Sequence, residues 1–91
     1  MRTQKEWVRH QSRRQQLRHL RQRCVRIIGS KDPAVIAAGR RVIDAVIDEP
    51  DPEYGALHLM AAALDVSEAT GVPWAACADD LLRRFDAQAA G

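Results

Sequence analysis

Long apolar runs are missing from this chain. The longest, Leu59 to Leu64, falls far short of the ~20 residues that a bilayer-spanning helix needs, so no membrane segment is expected. The Arg and Lys near the start lead into no apolar stretch, so no secretory leader is expected and a cytoplasmic location follows. Cysteine is scarce as well. Cys24 and Cys77 lie far apart inside helical patterns, which fits reduced thiols better than a disulfide framework. The five glycines are scattered, so there is no glycine-rich cradle for a phosphate. No serine sits in a nucleophile setting, and His10, His19 and His58 lack recurring ligand-spaced partners. These absences lead to the expectation of a non-enzymatic protein with no cofactor and no metal.

What the chain does have is enough apolar residue for one small core. With 91 residues, 46% hydrophobic and 29% charged, the composition is that of a single globular domain. Its aromatic anchors are Trp7, Tyr54, Trp74 and Phe85. The net charge of +2 conceals a division. Met1 to Lys31 holds ten basic residues and one acid, giving +9, whereas Asp32 to Gly91 holds four basic residues and eleven acids, giving −7. Basicity confined to one segment suits a polyanion, and equally suits docking on an acidic surface, whether of the same body or of a partner.

The apolar periodicity predicts an all-α domain of four helices with a long basic N-terminal helix. The first helix is expected over Thr3 to Ile28, ending at Gly29, with His10, Leu17, Leu20, Cys24, Ile27 and Ile28 on one stripe and Trp7 at its edge. Arg13 and Arg14 interrupt that stripe, so residues 1–16 are expected to project in part as a basic arm, leaving residues 17–88 as the helical core. Asp32-Pro33 and Asp51-Pro52 each read as an N-cap followed by a first-turn proline, opening helices over Pro33–Asp48 and Pro52–Thr70. The second of these stops at Gly71 and is nearly apolar all round, which fits a central helix or half of a homodimer interface. A last helix is expected over Pro73–Gln88. The expected core is Leu17, Leu20, Cys24, Ile28, Val35, Val42, Ile43, Val46, Leu57, Met60, Leu64, Trp74, Leu81 and Phe85.

One feature stands above this frame, the segment RRQQLRHLRQR, with five arginines and no acid between Arg13 and Arg23. Guanidinium groups fork onto phosphate oxygens and guanine edges, and glutamine reads adenine, so an Arg/Gln-rich helix has groove-binding chemistry. In composition alone it resembles the short arginine-rich helices that bind RNA hairpins. The leading expectation is therefore a small nucleic-acid-binding or regulatory protein that places Arg9, Arg13, Arg14, Arg18 and Arg21 on phosphates of DNA or RNA. The alternative is a protein-interaction module, such as an assembly factor or a phage-type inhibitor, that docks on an acidic partner. Trp7 and Val8 would then be its apolar anchors. Elsewhere, a helix-turn-helix over Leu64 to Phe85 is disfavoured by Asp79 and Asp80 on the outward side of its second helix. The acids Asp44, Asp48, Glu49, Asp51 and Glu53 lack the loop spacing of a cation site.

Overall fold

The computed structural model describes the backbone of residues 4–90 and the side chains of residues 12–88. Among the described residues the fold is all-helical: α1 (Gln4–Arg23), α2 (Val25–Ile28), α3 (Pro33–Ala45), α4 (Pro52–Thr70) and α5 (Trp74–Ala90). None of these helices is long and apolar enough to cross a membrane.

The helix boundaries follow from local chemistry. The Asp32 carboxylate accepts the Ala34 N–H at 2.9 Å, and the Asp51 carboxylate accepts the Tyr54 N–H at 3.3 Å. Each satisfies one of the orphan donors that a helix start exposes, and a proline follows in each first turn, where no donor is missed. At the end of α4, Gly71 adopts φ 76°, a left-handed conformation that glycine reaches without steric cost, and returns its N–H to the Ser67 carbonyl. The Ser67 hydroxyl donates to the Val72 carbonyl at 2.6 Å, tying the α4–α5 turn back onto α4.

The single helix expected over Thr3 to Ile28 is divided in two. Cys24, at φ −94° and ψ 6°, lies between α1 and the four-residue α2. Hydrogen bonds from Cys24 N–H to the Leu20 carbonyl and from Ile28 N–H to the Cys24 carbonyl carry the ladder across the junction. It is therefore a bend rather than a break. Its position coincides with a fully buried thiol that donates to the Leu57 carbonyl of α4 at 3.6 Å. Burial pushes the Cys24 thiol above its ordinary pKa, with neighbouring Arg23 opposing the shift, so the group stays protonated and serves packing.

Helix α4 is central, packing against α1, α3 and α5, while α3 also packs on α2 and α5. The core comprises Cys24 of the α1–α2 junction, Ala38 and Val42 of α3 with Val46 just beyond it, Ala56, Leu57, Met60, Ala61 and Ala63 of α4, and Trp74, Cys77, Ala78 and Leu82 of α5. Alanine is abundant because α4 is approached from several sides, and small residues let the helices close in. The Trp74 indole N–H donates to the Met60 carbonyl at 3.1 Å, so the largest buried ring leaves no orphaned donor.

Three residues expected in this core are outside it, Ile28, Ile43 and the part-buried Phe85. Ile28 is 59% exposed and Ile43 is 46% exposed. The apolar arc of α3, from Ala38 round to Ile47, covers about half the helix circumference at ~100° per residue, wider than one packed face requires. Contact with α4 and α5 uses the side bearing Ala38, Val42 and Val46. The remaining edge would need a roof, and the single turn of α2 is too short to supply one.

Candidate functional site

Two surfaces are candidates for a functional site: the arginine row of α1 and an isoleucine belt on α2 and α3. Positions 13 and 21 of the arginine row face α4. Nη2 of Arg13 donates to Oδ2 of Asp51 at 2.7 Å, and its Cζ lies 3.6 Å from the centroid of the Tyr54 ring. The guanidinium thus has a carboxylate at one side and an aromatic face beneath, an ion pair joined to a cation–π contact. His58, one turn on, stacks on the same Tyr54 ring at 5.7 Å. Arg21 donates through Nε and Nη2 to Glu53 in the first turn of α4.

Arg23 completes the row. It forks onto both oxygens of Glu68, at 2.9 Å each, and onto Asp65 at 2.6 Å. The protonation equilibria move accordingly. Asp51 is held below the usual carboxylate range, first by the Arg13 hydrogen bond and then by the Tyr54 N–H. Glu68 is lowered chiefly by its bond to Arg23, and Arg23 is raised by Glu68 and then Asp65. All of these groups stay charged at neutral pH.

The five arginines expected on phosphates therefore separate. Arg13 and Arg21 are paired with carboxylates of their own chain. Arg14 and Arg18 are exposed, carry no carboxylate partner among the described residues, and flank Leu17 and Gln22 around a shallow depression. The side chains of Arg9, Trp7 and Val8 lie outside the described residues, so that part of the expected site has no geometry to report.

The isoleucine belt was not anticipated as a functional surface. Among the described residues seven large hydrophobic side chains are exposed, and five of them, Val25, Ile28, Ile36, Ile43 and Ile47, belong to α2, α3 and the turn after α3. That concentration separates the belt from the scattered apolar exposure of any monomer surface. Ile28, Ile43 and Ile47 wall a groove of about 440 Å³, floored by Ala56, Leu57 and Met60 of α4, with Pro52 and the Arg21–Glu53 pair at its margin. The signal is present in the sequence as an apolar arc on α3 too wide for one face, whose surplus periodicity alone reads as core.

Among the described residues, no three His, Cys, Asp or Glu side chains converge as a metal site. The acids from Asp44 to Glu53 have other neighbours: Asp51 and Glu53 hold arginines, while Asp44 borders an open, charged depression with Arg41, Asp79, Arg83 and Asp86. No protein family, curated protein or solved structure matches the chain.

Proposed function

We propose that this chain is a non-enzymatic protein-interaction module whose working surface is the isoleucine belt. The carrying observation is the concentration of half-exposed Ile28, Ile43 and Ile47 around one apolar groove. Leaving such aliphatic side chains in water forgoes roughly 1.5–3 kcal/mol for each one that could be buried. A partner that covers the groove recovers much of that, which is how apolar anchors come to dominate protein interfaces.

Electrostatics supports the same reading. A phosphate approaching Arg13 or Arg21 meets the Asp51 or Glu53 carboxylate at the same point, with Asp48 and Glu49 close by in sequence. Exposed ion pairs are individually weak, so the relevant effect is cancellation of the field rather than the strength of the pairing. Three arginines of the first segment, Arg13, Arg21 and Arg23, hold α1 against the acidic start and C-terminal part of α4.

Arg14 and Arg18 favour a second, smaller reading in which the outer face of α1 gives a non-specific grip on a polyanion or an acidic protein surface. Two phosphates neutralised on duplex DNA imply a log–log salt slope near −2, at about −0.9 per phosphate.

Photo-crosslinking separates the two readings. A photoreactive side chain at position 28 or 43 is expected to yield protein adducts in cells, with little from positions 14 and 18. Nucleic-acid adducts from positions 14 and 18, with none of any kind from 28 and 43, would overturn the protein-interaction reading.

A further inference from the structure

The occupant of the belt can be narrowed by the charges beside it. Ile36 and Ile43 are seven residues apart on α3 and so lie on nearly one line along the helix, at ~100° per residue. Ile47, just past the helix end, walls the same groove as Ile43. Arg40 and Asp44 sit on the same, solvent-facing side of that line, about 40° and 80° away by the same geometry. Both are exposed, and neither belongs to an ion pair among the described residues. On the other side of the line is Gly39, where an added Cβ would meet nothing within 4 Å.

An aliphatic line flanked by one unpaired base and one unpaired acid, four residues apart, is self-complementary under a two-fold axis. Two copies of α3 packed antiparallel about an axis near residue 42 keep the charged side of each helix on the same side of the pair. Arg40 then faces Asp44 of the second copy, and Asp44 faces its Arg40. The same register sets Ile43 beside its own counterpart across the axis and brings Ile36 to Ile47 of the other chain. Charge and apolar contacts are satisfied by a single register, as an isologous interface requires. The absent side chain of Gly39 lets the two helix axes approach within the usual 8–10 Å or so.

We infer, on the basis of the interaction reading above, that the belt is covered by a second copy of this chain, through antiparallel α3–α3 pairing with reciprocal Arg40–Asp44 ion pairs. This moves the dimer contact away from the helix over Pro52–Thr70, where the sequence suggested it. The apolar residues of that helix are largely consumed by the core, with Ala56, Leu57, Met60, Ala61 and Ala63 all buried.

The test uses the full chain, with mass in solution followed by light scattering across a dilution series and helicity checked by circular dichroism. The wild type is expected at twice its 10.2 kDa mass at high concentration, dissociating on dilution. Arg40→Asp and Asp44→Arg each set like charges opposite one another and are expected to weaken pairing by about tenfold or more. Mixed together, these two variants regain complementary pairs and are expected to form a heterodimer, which a site elsewhere on the molecule would not do. Ile43→Glu is expected to be monomeric with its helicity intact. A dimer indifferent to Arg40→Asp, or a mixture that fails to recover, overturns the inference. A wild type that stays monomeric also overturns it, and a dye for exposed apolar surface then decides the broader reading. Dye binding that Ile43→Glu abolishes leaves the belt open to a different protein, whereas absence of dye binding removes the interaction reading as well.

Discussion

The inner face of α1 and the outer edge of α3 exchange the roles that their residues suggest. The arginines of α1 have the chemistry of a ligand grip, yet Arg13, Arg21 and Arg23 bind carboxylates of α4 and so belong to the fold. The isoleucines of α3 and the turn after it have the chemistry of a core, yet Ile36, Ile43 and Ile47 are half-exposed and available to a partner. Residue type alone says what a side chain can do. Which of those things it does depends on what the neighbouring helices place opposite it. Here an acidic helix start lies opposite the arginines and too short a helix lies opposite the isoleucines.

The comparison is sharpest between adjacent residues of α3. Val42 is 1% exposed and Ile43 is 46% exposed, although the two differ by one methylene and share a helix. Val42→Asp buries an unpaired carboxylate in the hydrophobic core and is expected to cost roughly 3–5 kcal/mol. That is a large part of the 5–15 kcal/mol or so available to a domain of this size. Ile43→Asp is expected to change monomer stability by less than about 1 kcal/mol. Urea unfolding of both variants, at dilutions where chains do not pair, measures the difference. Equal loss from the two would place Ile43 in the core after all and remove the belt.

The next largest effect comes from unmasking the arginines. Asp51→Asn keeps an N-cap acceptor at the start of α4 while removing its charge, and Glu53→Gln does the same opposite Arg21. Together they leave Arg13 and Arg21 without counter-charges. Duplex binding, followed by fluorescence anisotropy at several salt concentrations, is expected to steepen from a slope near −2 to about −4 as two further phosphates are neutralised. A wild type that already binds at the steeper slope would mean that the internal pairs open freely, and the arginine row would then be a grip.

Much of the fold was legible because its signals are local. Asp32-Pro33, Asp51-Pro52 and Gly71 mark helix ends by chemistry confined to a single turn, and they lie where the sequence places them. The period of Val35, Val42 and Val46 gave the packed side of α3, and the all-round apolarity of α4 gave its central place. The junction at Cys24 was not legible, because no glycine or proline marks it and its cause is a contact with Leu57, 33 residues away. The pairing of α1 with α4 was legible only as a charge imbalance. The +9 and −7 halves point equally to an internal or an external counterpart, and only tertiary placement of Asp51, Glu53, Asp65 and Glu68 reveals an internal one for Arg13, Arg21 and Arg23. The exposure of Ile28 and Ile43 was hidden for the same reason, since periodicity locates an apolar arc without saying how much of it the neighbours can cover.

The smallest effect is the response of the α1–α4 contact to acid, and its sign follows from the two carboxylates that arginines hold down. Asp51 and Glu68 ionise at lower pH in the folded chain than in the unfolded one, where values near 4 apply. Their contribution to stability is therefore complete above about pH 5 and is lost as pH falls through 4 toward the depressed folded values. Both sit at the surface, where solvent and salt screen them, so the change is modest for each. The melting temperature is expected to be level from neutral pH to about 5 and to decline below 4, with the decline shallower in the Asp51→Asn, Glu68→Gln variant because these groups no longer titrate. Thermal scans monitored by circular dichroism across this range test it. A variant that declines as steeply as the wild type would show that the arginines of α1 do not depend on these two acids, and the contrast with the isoleucine belt would lose its electrostatic half.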